Sequence, residues 1–292
     1  LRLADFWNAS LEDWAFIKDT PLAHELGLSG HFIRTVPLNA LASADGGSEQ
    51  VPIKNLDHDP NLPASAQIST DFLQLVRYGL RSADDPCILD SVKAVDHLLK
   101  TDTPSGPVWH RYNSDGYGEH ADGSPFDGTG QGRGWPLLTG ERGHYAVVAG
   151  QDPLPYLEAM MAMSSPLGLI PEQVRDSAPI AGRDLKPGRP SGSAMPLVWA
   201  HSEFIKLCHS RALGYPVDRP AATWARYRGQ RPKKIDYGIW GPSARPGRLK
   251  SGKTLTVVLK APARVHWGIN GWKNIADTDT RDTGLGVHAA DL

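Results

Sequence analysis

Glu172 stands at the end of the run Gly168-Leu169-Ile170-Pro171-Glu172-Gln173-Val174, downstream of a polar, aromatic stretch from Trp109 to Tyr145. A carboxylate after an apolar run, with Trp, Tyr and Arg near in sequence, is the material of a carbohydrate-cleaving site. Pro171 biases Ile170 towards an extended backbone and so fixes the approach of the chain to the carboxylate. A glutamate on such a loop rim can act as a general base when its surroundings hold its pKa in range. Taken alone, Glu172 also reads as a glutamate at a helix start or on the surface.

The segment Trp109-His110-Arg111-Tyr112-Asn113-Ser114-Asp115-Gly116-Tyr117-Gly118-Glu119 crowds donors, acceptors and ring faces together. Bidentate donors suit vicinal hydroxyls and an aromatic ring suits the apolar face of a sugar. A glycine-rich turn loop has the same composition. The glycines of Thr129 to Gly143 imitate a phosphate loop but lack its Gly-Lys-Ser/Thr ending and a preceding strand. The eleven His show no pair with metal-ligand spacing. Asp57-His58-Asp59 and Asp277 to Asp282 lack a calcium-loop pattern, so no metal or cofactor is expected. There is no Gly-x-Ser-x-Gly elbow, and Cys87 and Cys208, both in helical patterns, are expected as buried free thiols.

The elements that must position these residues are mostly helices. Phe72, Leu75, Val76 and Leu80 recur at helical spacing after Thr70 and Asp71. Asp85-Pro86 opens a helix with an apolar stripe of Ile88, Leu89, Val92, Val95, Leu98 and Leu99. Asp152-Pro153 repeats that start before Leu154, Leu157, Met160, Met161 and Met163. Further helices are predicted over Met195 to Leu213, about Pro136 to Val148, and Ala4 to Phe16, where Trp199 falls in an apolar stripe and by itself reads as core. Thr101 to Gly134 has no sustained period, and loops of that length in a compact domain usually carry function. Helical scaffold with working loops describes an α/α barrel or an irregular bundle.

The pattern changes near Pro216. Arg219 to Gly247, rich in Arg, Gly and Pro, is expected as a linker. Thr254 to Leu259, Arg264 to Trp267 and Gly286 to Ala289 read as strands, with Asn270-Gly271 as a hairpin turn. Three strands cannot close a sandwich, so this part is expected to be incomplete.

The chain has 292 residues, a net charge of −1, 40% apolar residues and nine Trp. Near-neutral charge argues against a nucleic-acid or acidic-membrane partner, and the basic run Arg231 to Lys234 is expected as a solvated linker. No apolar run reaches membrane-span length. The chain begins at Leu1 without Met and ends at Leu292 just after a strand-like run, so it looks cut at both ends.

Taken together, Trp109 to Asn113, Asp115 to Glu119, Gly130-Gln131-Gly132-Arg133, Trp135-Pro136, Gly140-Glu141-Arg142-Gly143 and Ile170 to Val174 resemble, in order and spacing, the C-terminal half of a bacterial glucoamylase or glucodextranase of glycoside hydrolase family 15. The likeness runs from about Trp14 to Leu213. It implies a mainly α fold, a partial (α/α)6 barrel with about six of twelve helices, followed by a truncated β-sandwich-like domain. The expected domains are 1–214 for the barrel part, 215–247 for a linker and 248–292 for the β domain.

The resemblance also implies an inverting, exo-acting α-glucoside hydrolase that releases β-D-glucose from α-1,4- or α-1,6-glucans. By position, Glu172 matches the general base, Arg111 and Tyr112 the groups on the terminal glucose, and Trp135 and Trp199 the walls of that first sugar site. The family's general acid lies in a Trp-Glu-Glu segment that nothing here matches. It is expected upstream of Leu1, which would leave the fragment alone inactive. Arg175 departs from the family's usual Trp, and its charge is expected to favour ionised Glu172. The implied partner is an oligo- or polysaccharide α-glucan, bound by a monomer at an extracellular or periplasmic rather than cytoplasmic location. Other readings are a trehalase of the same family, a non-catalytic carbohydrate-binding protein, or a phosphorylase on an α/α barrel.

Overall fold

Helices begin where the sequence supplies a cap, a proline or both. The computed structural model describes residues 1–37, 47–233, 237–242, 249 and 252–292. They form two compact units, residues 11–231 and residues 1–10 with 232–292. Lys234 of the basic run, and residues 234–236 and 243–248 of the expected linker region, lie outside the described residues.

Helix α1 (Arg2–Ala15), which belongs to the larger unit only from Leu11 on, leads into β1 (Phe16–Lys18). Then α2 (Pro21–Leu26) starts at Thr20, whose Oγ1 accepts from the Ala23 N–H at 3.1 Å, and stops at Gly27 with φ 64°. The next strand, β2 (Gly30–Phe32), pairs antiparallel with β1 and sets Phe16 opposite Phe32. Phe32 stacks on Phe72 with ring centroids 5.8 Å apart. After α3 (Leu73–Arg77) comes α4 (Pro86–Leu98), capped by Asp85 Oδ1, which accepts from the Cys87 N–H at 2.9 Å. Ile88, Val92, Val95 and Leu99 of the predicted stripe are buried, whereas Leu89 and Leu98 face outward. The buried face is narrower than the predicted stripe: Leu89 is one residue past Ile88 and so about 100° round the helix.

The hairpin β3 (Lys100–Thr103) and β4 (Gly106–Trp109) follows, then α5 (Pro136–Val148), α6 (Leu154–Ala162), α7 (Val198–Leu213) and α8 (Ala221–Tyr227). Helix α5 is central, with eleven of its residues buried, and packs on α3, α6 and α7. Gly140 and Gly143 permit the approach of α7: a Cβ there would come within 2.7 Å of Glu203 Cγ and 2.6 Å of Leu207 Cδ2. The core gathers Ile68, Phe72, Leu73, Ile88, Leu137, Tyr145 and Met160 around this contact. Cys87 is half-buried and Cys208 exposed, so the second thiol is not in the core as expected: it sits on the outer face of α7.

The smaller unit holds β5 (Tyr237–Trp240), β6 (Thr254–Leu259), β7 (Arg264–Ile269), β8 (Asn274–Asp279), β9 (Arg281–Asp282) and β10 (His288–Asp291). Four strands form a sheet in the order β5-β6-β10-β9, with β5 parallel to β6 and the other pairs antiparallel. The remaining two, β7 and β8, make a separate hairpin across Asn270-Gly271.

Helix outweighs strand, and the fold is mainly α. The expected linker 215–247 contains α8 and β5. Within it, Trp224 carries the Arg219 guanidinium 3.8 Å from its ring and lies against Gly79, so an aromatic anchor orders a segment whose composition suggests none.

Candidate active site

Single bridges, not sheets, sew the site together. Ser69 pairs with Tyr112, Trp109 with Trp135, Gly134 with Val174, and Val174 with Pro190. These pairs draw the loops before α5 and before α7 to the ends of the hairpin β3–β4. Glu172 is fixed by its own backbone N–H, which donates to the Ala194 carbonyl at 2.8 Å. On one side Gln173 N–H donates to Ser193 Oγ at 2.9 Å, and Gln173 Oε1 accepts from Arg133 N–H at 3.0 Å.

Arg111 is held in a fork by Asp115, with Nε and Nη2 donating at 2.7 and 2.8 Å. Its guanidinium carbon lies 4.8 Å from the Tyr117 ring, 5.0 Å from Trp135 and 5.5 Å from Tyr112. Arg34 covers the Tyr112 ring at 3.6 Å, and Asn55 Nδ2 donates to the Tyr112 hydroxyl at 3.3 Å. A charged fork between three rings keeps its geometry without spending all its donors.

Two cavities meet these residues. One, about 320 Å³, is lined by Tyr117, Phe126, Glu172, Gln173, Ser193 and Ala194. The other, about 530 Å³, is lined by Arg111, Tyr112, Trp135, Trp199, Asp71 and Glu141, among others. Both volumes lie in the range of small-molecule sites, about 300–1,000 Å³. The structure therefore brings Arg111, Tyr112, Trp135 and Trp199 to one cavity and sets Glu172 in the other. Tyr117 and Arg111 couple the two: Glu172 feels the Arg111 charge and accepts from the Tyr117 hydroxyl. Burial raises the Glu172 carboxyl above its ordinary range, opposed by Arg111 and by hydrogen bonds from Gln173, Tyr117 and the Ala194 N–H. Burial and the neighbouring Glu172 raise the Tyr117 phenol in turn, so it stays a donor at neutral pH.

Several expectations change. Trp199 is 57% exposed at the start of α7 and lines a cavity wall. It is not core, because the inward face of that helix is taken by Ala200, Glu203 and Leu207. Trp109, read in sequence as part of a sugar platform, is buried and donates through Nε1 to Asp96 at 2.9 Å. Arg175 bonds Glu119 at 2.9 Å and the Ala178 carbonyl at 3.0–3.1 Å, and the cation acting on Glu172 is Arg111. Tyr117 carries no signal of its own in the sequence, since only the fold turns its hydroxyl to Glu172. Trp135 is 5% exposed, and its Nε1 finds no acceptor among the described residues.

Glu141 lies deep in the larger cavity. Desolvation, then the charge of Glu203, pushes its carboxyl up to about 8. The folded state thus keeps a proton that an ordinary carboxyl releases near 4.5, so the native state binds more protons between these values and stability falls as pH rises through that window. Glu141→Gln is expected to flatten the decline in melting temperature from pH 5 to 8. Thermal unfolding by circular dichroism tests this, and identical slopes in both proteins would contradict it.

No described helix is long and apolar enough to cross a membrane. Among the described residues, no group of three or more His, Cys, Asp or Glu could hold a metal ion.

No family model matches the chain. A curated glucoamylase from Clostridium sp. (strain G0005) is 45% identical over 160 residues, which is 55% of this chain and 22% of that protein. A crystal structure of a bacterial glucoamylase complexed with acarbose is 36% identical, with a TM-score of 0.65, over 77% of this chain and 31% of its own. A solved glycosidase at 23% identity reaches a TM-score of only 0.39 over 55% of this chain and 40% of its own. The chain thus spans less than a third of the two glucoamylases it matches. In sequence and fold the matched part of the chain is similar to glycoside hydrolases. More narrowly, both of these relatives are glucoamylases, and it is to them that this part of the chain is similar.

Proposed function

We propose that the protein carrying this chain is an inverting, exo-acting α-glucoside hydrolase that releases β-D-glucose from α-1,4- or α-1,6-glucans. One observation carries the reading: the half-buried Glu172 carboxyl, with Tyr117 and Arg111 beside it, adjoins a cavity walled by Arg111, Tyr112, Trp135 and Trp199. In this reading Arg111 and the unpartnered Trp135 Nε1 take sugar hydroxyls, while Trp199 and Tyr112 wall the ring. Glu172 takes a proton from water as the water attacks the anomeric carbon. A general acid on the opposite side protonates the leaving oxygen, at the carboxyl separation of about 6.5–9.5 Å that inversion requires.

The helices α1 and α3 to α7 are proposed as about half of an (α/α)6 barrel, with the catalytic part running to residue 214, a connecting stretch over 215–247 and a β domain over 248–292. The acid is proposed to lie outside these residues, since two carboxylates of the site loops are engaged elsewhere: Glu119 by Arg133 and Arg175, Asp115 by Arg111. The protein is proposed to act as a monomer, outside the cytoplasm, where α-glucan is met.

The test is product analysis by NMR of the anomer first formed from maltotriose, isomaltotriose and trehalose. The whole protein is expected to yield β-glucose from one of the first two, and the 292-residue chain alone to yield none. Cleavage of trehalose alone would make it a trehalase. α-Glucose as the first product would refute inversion, and binding of glucan without cleavage would make the protein a carbohydrate binder. Glucose release by the chain alone would move the acid role onto it, with Glu141, neutral at pH 7, as the first candidate.

A further inference from the structure

Two buried guanidinium groups lie close to Glu172 along the chain and through its neighbour, yet the cation that Glu172 feels is Arg111. Arg175 follows Glu172 by three residues, and Arg133 donates its backbone N–H to Gln173 Oε1 at 3.0 Å. Glu119 cancels both. Its Oε1 lies 2.8 Å from Arg133 Nε and 2.9 Å from Arg175 Nη1, so one oxygen serves two cations. Asp176 completes the group: Oδ1 lies 3.4 Å from Arg133 Nη1, and Oδ2 accepts from the Gly134 N–H at 2.8 Å. All four side chains are buried, and two cations against two carboxylates leave no net charge. His110 borders the group, with Nε2 2.8 Å from Asp176 Oδ2.

Glu119 reaches this place because the residue before it is glycine. A Cβ at Gly118 would come within 2.1 Å of the Gln131 carbonyl oxygen and 3.0 Å of Gln173 Oε1, so the backbone that delivers Glu119 runs against the amide beside the base. The Gln131 N–H donates to the Glu119 carbonyl at 3.3 Å and closes the same approach. Glu119 and Glu172 line one cavity, together with Tyr117 and Gln173. At Glu172 itself the charged and titratable neighbours are Arg111 and Tyr117, and the Gln173 amide donates to its carboxyl. That amide is therefore held at both ends, by the Arg133 N–H on its oxygen and by Glu172 on its nitrogen. An unbalanced cation behind it would favour the ionised base, and an unbalanced anion would disfavour it.

We propose that Glu119 is a positioning residue for Glu172: it pins Arg133 and Arg175, and so holds the Gln173 amide on the Glu172 carboxyl and cancels the two charges behind it. The role rests on the function proposed above for Glu172; the cluster itself rests on the distances. The pH dependence of kcat/KM for glucose release by the whole protein from its preferred glucan tests it. Glu119→Gln, Arg175→Gln, the double variant and Glu172→Gln are compared, with near-UV circular dichroism as the check on folding.

The acid limb, where the base gains its proton, is expected about half a pH unit lower in Glu119→Gln and about half a pH unit higher in Arg175→Gln, less than a charge in contact with the carboxyl would give. The double variant restores neutrality and is expected to return to the unsubstituted limb. At the optimum, kcat is expected to fall about tenfold in Glu119→Gln, through a loosened base, with KM unchanged. A lesion that only loosens the fold would move both single variants the same way, or neither. Either result, or a double variant whose limb does not return, overturns the proposal while loss of release in Glu172→Gln still upholds the base. If Glu119→Gln fails to fold, the Arg175→Gln limb decides: a higher limb supports the proposal, and an unmoved or lower one overturns it. Full release in Glu172→Gln, or none from the unsubstituted protein, removes the base role itself and the proposal with it.

Discussion

On the activity proposed above, Glu172→Gln in the whole protein is expected to lower the rate of glucose release from its preferred glucan by about 10²–10⁴-fold, the usual contribution of a general base. The amide keeps the shape of the side chain and can still meet Tyr117, but it cannot take the proton from attacking water. Little change in KM should accompany the fall in kcat, because Arg111, Tyr112, Trp135 and Trp199 line a different cavity wall. The pH profile supplies a second reading. A base must be ionised, so activity rises with pH through the Glu172 pKa, and burial places that pKa above the ordinary 4.5. Initial rates from pH 3.5 to 8 measure both effects. A variant with full activity, or a wild-type profile already flat at pH 4.5, would remove Glu172 from the proposed role.

Arg77→Ala destabilises the larger unit by about 3–5 kcal/mol, the cost of leaving a buried charge uncompensated. Arg77 is 4% exposed, bonds Glu203 through Nη1 at 2.7 Å, and bonds Asp218 through Nη2 at 2.8 Å. It thereby ties α3 to α7 and to the turn beyond it. Without Arg77, the Glu203 carboxylate keeps, among the described residues, His144 at 3.1 Å, an imidazole that burial holds towards its neutral form. Arg211→Ala is the control: its pair with Asp152 is equally short but solvent-exposed, and its loss should not move the urea midpoint. Urea unfolding followed by Trp fluorescence compares the two variants. Equal midpoints for Arg77→Ala and the unsubstituted chain would show that the buried network carries no net stability.

What the sequence made legible follows from how local each signal is. Helix α5 and strand β6 occupy the residues expected, because a proline start and a run of Thr, Val and Leu need no tertiary help. The ribbons β1–β2 and β3–β4 are three or four residues a strand, too short for any period to declare itself. Helix α8 depends on an Arg219–Trp224 stack that composition cannot show. The aromatic and arginine walls were legible through their motif order. The division between the Glu172 cavity and the larger one was not, because it depends on where Tyr117 and Phe126 turn, with rings 5.0 Å apart. Nor could the chain order reveal that Arg175, three residues from Glu172, is spent on Glu119.

The single bridges at Ser69–Tyr112, Trp109–Trp135, Gly134–Val174 and Val174–Pro190 have a consequence for how such a site can diversify. Each fastens two residues, and between them the stretches 118–130 and 176–189 form no ladder longer than a single bridge. Lengthening an unpaired loop costs only about 0.6 kcal/mol per doubling of its length. New chain can therefore enter between fasteners, reshaping the mouth of either cavity, while Glu172 and Arg111 keep their coordinates. On the function proposed above, a change of preferred linkage would then be a matter of loop grafting, with the proton-handling centre inherited unaltered.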